Sequence, residues 1–261
     1  MNSRVDCVPA DLNSVHCHDK YEILYVTEGS GKYIVEGAEY PIKPRSLMIF
    51  PPLMYHCASV DAGTVYERIV INFDKQSLAH EAHEALNRIS ELADENGLFY
   101  TADAMSDAIA SVFDRFEITA SLPEAEKVAI GRLLLSELVI LLSISKSENF
   151  SHEDGELGAR VIRYLNENMT KDITLDDIAK RFFVSKYYLC RAFKKHNGIS
   201  IHGYINQKRV LYAKQLIESG ESASGAAYRV GFGDYSAFYR AYVKIIGRSP
   251  TAQTERQQNG V

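Results

Sequence analysis

Two stretches in the C-terminal hundred residues repeat one another, and this repeat limits the possible folds more than any other feature of the chain. Thr174-Leu175-Asp176-Asp177 reads as a capping box: Thr174 starts a helix and Asp177 reaches back to it. The helix Leu175–Phe182 then buries Leu175, Ile178, Ala179 and Phe182. After a short break Ser185 caps a second helix, Lys186–His196, whose Leu189 and Phe193 stack four apart on its buried face. Lys186, Tyr187, Cys190, Arg191 and Lys194 are left on the free face. Ala223–Val230, the turn Gly231-Phe232-Gly233-Asp234 and the helix Tyr235–Ile246 repeat the layout. Asp234 matches Ser185, Phe238 matches Leu189, Arg240 matches Arg191 and Tyr242 matches Phe193, an offset of 49 residues read throughout.

Two short helices with a tight turn, the second basic and aromatic on its free face, fit a helix-turn-helix. Between the two units, Ile201–Ser219 is one uninterrupted helical pattern. Its length of about 28 Å approaches the roughly 34–36 Å between successive major-groove faces of DNA. One chain is thus able to set two recognition helices into adjacent turns of one groove.

Charge agrees with this. The net charge of −5 hides an asymmetry: residues 1–155 sum to −13 and residues 156–261 to +8. A basic half joined to an acidic half points to nucleic-acid contact at one end.

The other half is built differently. Tyr21–Thr27, Lys32–Val35, Leu47–Phe50 and Tyr66–Phe73 are β-branched and aromatic, with turn signals between them. Short strands at regular spacing predict a sandwich or barrel. After Asp74 the period becomes helical over Lys75–Asn96, Ala102–Phe116 and Pro123–Lys146. The last of these is apolar on more than one face, so it is expected to be buried or to pair subunits, with Leu138 and Leu142 in the contact. Ser147–Glu156 is polar and reads as a linker. The 261 residues suffice for two domains. No charged n-region precedes an apolar stretch at the N-terminus, and no apolar run spans a bilayer, so a soluble cytoplasmic protein is expected. Cys7, Cys17, Cys57 and Cys190 lie far apart, which in a reducing cytosol predicts free thiols.

ITLDDIAKRF, VSKYYLCRAFKKHNGIS, YINQKRVLYAKQLI and VGFGDYSAFYRAYVKIIGRSP together resemble the DNA-binding region of the AraC/XylS regulators, over residues 157–250. The resemblance implies base reading by Tyr187, Cys190 and Arg191 in one helix and by Tyr235, Ser236, Tyr239 and Arg240 in the other. Arg suits bidentate contact with guanine, and Tyr packs on thymine methyls. Lys186, Lys194 and Lys195 are expected on phosphates, although Lys195 and Lys208 also fit plain solvated charges. Several residues depart from the family pattern. Phe183 stands where Gly is usual, Ala223, Ala226 and Ala237 replace larger side chains, and Val243 replaces a base. The second unit is therefore expected to be less well packed and less basic than the first.

His16-Cys17-His18-Asp19-Lys20-Tyr21-Glu22 followed by Gly29 resembles the first cupin motif. Pro51 to His56 keeps part of the second, with Arg45 and Leu53 where cupins often have Gly. The likeness covers roughly residues 14–75. His16, His18, Glu22 and His56 are expected to bind a small effector. The same set also suits a divalent transition metal, which leaves a cupin metalloenzyme and a metal or redox sensor as rivals, and it also fits purely structural roles. Neither a metal nor another cofactor is expected, and no catalytic residue is assigned. The chain has no Trp, so a carbohydrate effector has only Tyr and Phe to stack on.

The expected architecture is multidomain. Residues 1–75 form an all-β cupin-like sensor barrel and 76–146 a helical dimerisation segment. The linker is 147–156, and 157–261 form an all-α double helix-turn-helix domain. The resemblance implies an effector-controlled transcription regulator, commonly an activator. Its partners would be double-stranded DNA, a second copy of the chain and RNA polymerase, with no membrane partner.

Overall fold

A computed structural model of the chain describes residues 2–3, 15–93, 98–101, 107–147 and 157–251. Nearly all of the expected linker lies outside the described residues. The chain divides into two compact units. The first runs to residue 152, and the second comprises residues 153–261 together with Cys17–Asp19.

The first unit is a two-layered antiparallel β structure with helices on one side. Its strands are β1 (Asn2–Ser3), β2 (Tyr21–Glu28), β3 (Gly31–Val35), β4 (Ala38–Ile42), β5 (Leu47–Phe50), β6 (His56–Val60), β7 (Glu67–Phe73) and β8 (Leu98–Tyr100). They form a five-stranded sheet in the order β1-β7-β2-β5-β8 and a three-stranded sheet in the order β4-β3-β6. The run Glu22–Val26 is buried throughout because its sheet is covered on both sides. Strand alternation divides the work. Ile23, Tyr25, Leu47, Ile49, Ile69 and Phe73 face a core shared with the helices. Leu24, Val26, Met48 and Phe50 face a second core, closed by Tyr33, Tyr40 and Tyr66.

Four strands, β1, β4, β6 and β8, are absent from the sequence reading. In β4, Pro41 breaks the apolar pattern, and it is tolerated because β4 is an edge strand. β6 begins on the residue already assigned to the pocket, and β8 has only three residues.

The helices are α1 (His83–Ala93), α2 (Asp107–Thr119) and α3 (Glu124–Ile144). The single helix expected from Lys75 is instead two short 3-10 turns, Lys75–Ser77 and His80–Ala82, ahead of α1. Side chains of α3 satisfy the backbone at this break: Ala79 N donates to Ser136 Oγ at 2.8 Å and Arg132 Nη2 donates to Leu78 O at 2.8 Å. Leu138 and Leu142, expected between subunits, are core residues at 0% and 1% exposure. The exposed apolar positions of α3 are Val128, Ile130, Leu133, Ile140 and Ile144. The sequence shows that α3 is apolar on two sides but not which side the sheet takes.

The second unit is helical throughout its described residues: α4 (Leu157–Asn168), α5 (Leu175–Arg181), α6 (Lys186–Asn197), α7 (Ile201–Glu218), α8 (Ala223–Arg229) and α9 (Tyr235–Ile246). Thr174, Ser185, Ser200, Ser222 and Asp234 each cap the following helix by accepting a backbone N–H. Gly198 and Gly247 end α6 and α9 in the left-handed conformation.

The offset between the two units is not constant. The recognition helices α6 and α9 are offset by 49, but α5 and α8 by 48, since Thr174 pairs with Ser222 as cap. Their exits agree: Val184 N donates to Ala179 O, and Phe232 N donates to Ala227 O, each at 3.0 Å. The second turn therefore has one more residue, Gly233.

This register also corrects the expectation of a poorly packed second unit. Ala226 replaces Ile178, but Phe232 replaces Val184, so volume lost on the helix returns at the turn. Phe232 packs on Phe238 with ring centroids 5.4 Å apart. Ala226, Val230, Phe238 and Tyr242 are fully buried around them.

Candidate nucleic-acid interface

Two equivalent helices, α6 and α9, emerge from these turns with their apolar faces committed. In α6, Leu189, Phe193 and Asn197 are buried; in α9, Phe238 and Tyr242 are. Their opposite faces are free. Tyr187 is 76% exposed, Tyr235 40% and Tyr239 42%, and Arg191, Lys194, Lys195, Ser236 and Arg240 are all exposed. Cys190 is half-buried beside Arg191. Counted from the caps, Tyr187 corresponds to Ser236 and Lys186 to Tyr235, while Arg191 matches Arg240 and Lys195 matches Lys244.

Lys186 Nζ pairs with Asp176 Oδ2 at 2.7 Å across the first turn. Both side chains are about half exposed, so the pair is weak and leaves the ammonium available to a phosphate. Lys208 is a structural lysine and not a solvated one: it is buried, donates to Asn166 Oδ1 at 2.8 Å and lies over the Tyr204 ring. Phe183 is the residue that the sequence sets where the family has Gly, with a strained backbone expected there. It is 96% exposed with φ 55°, in the left-handed position that its glycine equivalent Gly231 holds at φ 92°. The absence of Gly from the first turn signalled it.

In the first unit, β2 turns Glu22 toward the same side as Leu24 and Val26, into the space between the two sheets. His56 opens β6 and faces it, with Nε2 3.5 Å from Glu22 Oε1. The His56 ring stacks on Phe50 at 4.3 Å and donates from Nδ1 to Met54 O at 3.0 Å. His16 joins the β6 edge through a pair of backbone hydrogen bonds with His56, and its exposed ring meets the His56 ring edge-on at 4.5 Å. His18 is half-buried in the Cys17–Asp19 stretch that groups with the second unit. Two imidazoles and a carboxylate are a donor set suited to a polar ligand or a metal ion.

Deeper between the sheets, Tyr33 and Tyr66 share a hydrogen bond between their hydroxyls, and Arg68 reaches the Tyr66 ring. Burial, together with each other and Glu22, pushes the Tyr33 phenol well above its ordinary value, so it stays protonated. Burial likewise raises the Cys57 thiol, which alternates with His56 and Ala58 along β6. Arg45 and Leu53 keep positive φ, 65° and 70°, at the two places where the cupin pattern has glycine. A cleft of about 650 Å³ lies elsewhere, between β7, α2 and α3, lined by Ile71, Phe116, Thr119, Val128 and Leu135 among others. No motif in the sequence marked it.

Comparison with known proteins agrees with both halves. Residues 6–142 match the family model described as an AraC-like ligand binding domain, and residues 178–256 match that of a helix-turn-helix domain. The chain is 30% identical over 234 residues to the uncharacterized HTH-type transcriptional regulator YbfI of Bacillus subtilis (strain 168), covering 85% of this chain and 79% of that one. It is 24% identical over 251 residues to the HTH-type transcriptional activator RhaS of Klebsiella pneumoniae (strain 342), covering 93% and 88%. Among solved structures it is similar to ToxT from Vibrio cholerae O395, at 14% identity, 92% and 90% coverage and a TM-score of 0.38. With an AraC-like ligand binding domain followed by a helix-turn-helix domain, this chain belongs to the AraC family of DNA-binding transcription regulators.

Proposed function

We propose that α6 and α9 both enter the major groove. Tyr187, Cys190 and Arg191 read bases from α6, and Tyr235, Ser236, Tyr239 and Arg240 read them from α9. Lys186, Lys194 and Lys195 neutralise phosphates. The observation that carries this reading is the matched pair of free faces on two helices whose opposite faces are buried. Selection of bound sequences from a random DNA pool by the full-length protein tests it. Two separated blocks of preferred bases per protomer are expected, and one block per protomer would confine base reading to one helix.

Control comes from a small effector held by His16, His18, Glu22 and His56. Supporting this, His56 and Glu22 meet between the sheets while His16 reaches solvent beside them. A thermal-shift screen of sugars, small organic acids and divalent metals identifies the class, because a ligand of the folded state raises its melting temperature. Loss of that shift in His56→Ala assigns the site. Tightly held stoichiometric iron, manganese or zinc in the purified protein would favour a metal-dependent reading instead.

The regulator works as a homodimer joined through the exposed apolar face of α3, acts in the cytoplasm and engages RNA polymerase at its promoters. Supporting the first of these, Ile130, Leu133, Ile140 and Ile144 recur at helical spacing on one exposed side of α3. Among the described residues, no helix is long and apolar enough to cross a membrane.

A further inference from the structure

The two recognition helices belong to separate units joined by α7, and a helix alone does not fix the angle at which the units meet. One side chain of α7 does more. Arg209 donates three hydrogen bonds, each to a backbone carbonyl: from Nε to Met169 O at 2.6 Å, from Nη2 to Lys171 O at 2.7 Å, and from Nη1 to Gly231 O at 2.8 Å. Met169 and Lys171 lie in the loop that leads into α5, ahead of the first unit. Gly231 begins the turn of the second. The guanidinium also lies over the Phe232 ring, 6.0 Å from its centroid.

The loop and the turn touch directly at the same place. A Cβ on Gly231 would stand 2.5 Å from Thr170 O. Gly231 is therefore needed both for its φ of 92° and for this close approach. A planar guanidinium with a fixed fork of donors holds three acceptors in one geometry, which an ammonium on a flexible stem does not.

We propose that Arg209 is a positioning residue that sets the distance and angle between the two recognition helices, and so the spacing at which the protein accepts its two blocks of bases. The proposal rests on the reading that both helices contact bases. If so, the second helix binds with an effective concentration fixed by this clamp, and loosening the clamp lowers affinity for the paired site without altering either contact.

The test uses full-length protein and the site obtained by selection from random DNA. Duplexes carry that site unchanged, with one or two base pairs inserted or removed between its blocks, or with one block scrambled. The wild-type protein is expected to bind the unchanged spacing far better than any altered one. Arg209→Met should lose about tenfold or more on the unchanged site, bind the single-block duplexes within about twofold of wild type, and discriminate little between spacings. Arg209→Lys, which keeps the charge but not the fork, should fall between the two. It also carries the test if Arg209→Met fails to fold, as judged by its circular dichroism.

Undiminished spacing discrimination in the variant that folds would overturn the proposal while leaving two-helix reading intact. An equal loss on paired and single-block duplexes would also overturn it, by showing a general weakening of the domain. Selection of only one block per protomer by the wild-type protein would overturn both the proposal and the reading beneath it.

Discussion

Phe183 and Gly231 occupy the same place in the two helix-turn-helix turns, both with positive φ, although only one of them is glycine. Each donates its backbone N–H to the carbonyl three residues back, Lys180 and Tyr228 respectively. A non-glycine residue in this region costs roughly 1–2 kcal/mol. Phe183 recovers none of it through packing, because its side chain is 96% exposed. Phe183→Gly should therefore stabilise the folded protein by roughly 0.5–1 kcal/mol, the relief of strain outweighing the greater freedom of glycine in the unfolded chain. Calorimetry should show the melting temperature rising by about 1–4 °C. A fall would mean that the Phe183 ring makes a stabilising contact.

Glu22 and His56 form a buried pair. A carbonyl oxygen carries no proton, so the Nδ1 facing Met54 O is protonated, and Nε2 faces the Glu22 carboxyl. Glu22→Gln supplies an N–H facing Nε2 and should change stability by less than about 1 kcal/mol, whereas Glu22→Ala should cost about 1–3 kcal/mol. Denaturant titration measures both. Equal costs would show that the pair contributes only volume.

The apolar stripe on α3 gives a second pair of variants. Leu133 and Ile144 are 63% and 72% exposed, so Leu133→Glu with Ile144→Glu should leave a folded chain that sediments as a monomer at micromolar concentration. Leu138→Glu, at a position fully buried in the core, should instead unfold the first unit. A wild-type protein that is already monomeric would remove α3 as a subunit contact.

Cys190 lies on the free side of α6 next to Arg191, and it is half-buried. If this face enters a groove, DNA covers the thiol. Saturating cognate duplex should slow alkylation of Cys190 several-fold, as read by peptide mass mapping. Cys57, whose thiol is buried and raised, should react slowly with or without DNA. Unchanged alkylation of Cys190 on cognate DNA would place this face away from the duplex.

The parts of the fold legible in the sequence were those with local causes. Caps announced themselves as Ser, Thr or Asp before an apolar period: Thr174, Ser185 and Asp234 are legible in the sequence, and Ser200 and Ser222, which the sequence reading did not name, cap by the same chemistry. What escaped depended on distant partners. The Pro41 strand is identifiable only once β4 is known to be an edge, and the exposed side of α3 only once the sheet has taken Leu138 and Leu142. The swap of Ile178 and Val184 for Ala226 and Phe232 was hidden by one residue, Gly233, which shifts the offset from 48 to 49. Arg209 gave no local signal, since its three acceptors lie 22 to 40 positions away.

With the second unit well packed, the two recognition helices differ in charge and not in support. Lys194 and Lys195 follow Arg191 in α6, whereas only Lys244 follows Arg240 within α9. Titration of wild type, Arg191→Ala and Arg240→Ala against the selected site and a scrambled duplex tests most directly the claim that α6 reads sequence. Arg191→Ala should lose about ten- to a hundredfold on the selected site, or about 1–3 kcal/mol, with little change on the scrambled one. Arg240→Ala should lose less. If Arg191→Ala weakens both duplexes equally, or leaves the ratio between them as in wild type, α6 does not read bases through Arg191 and the central claim fails.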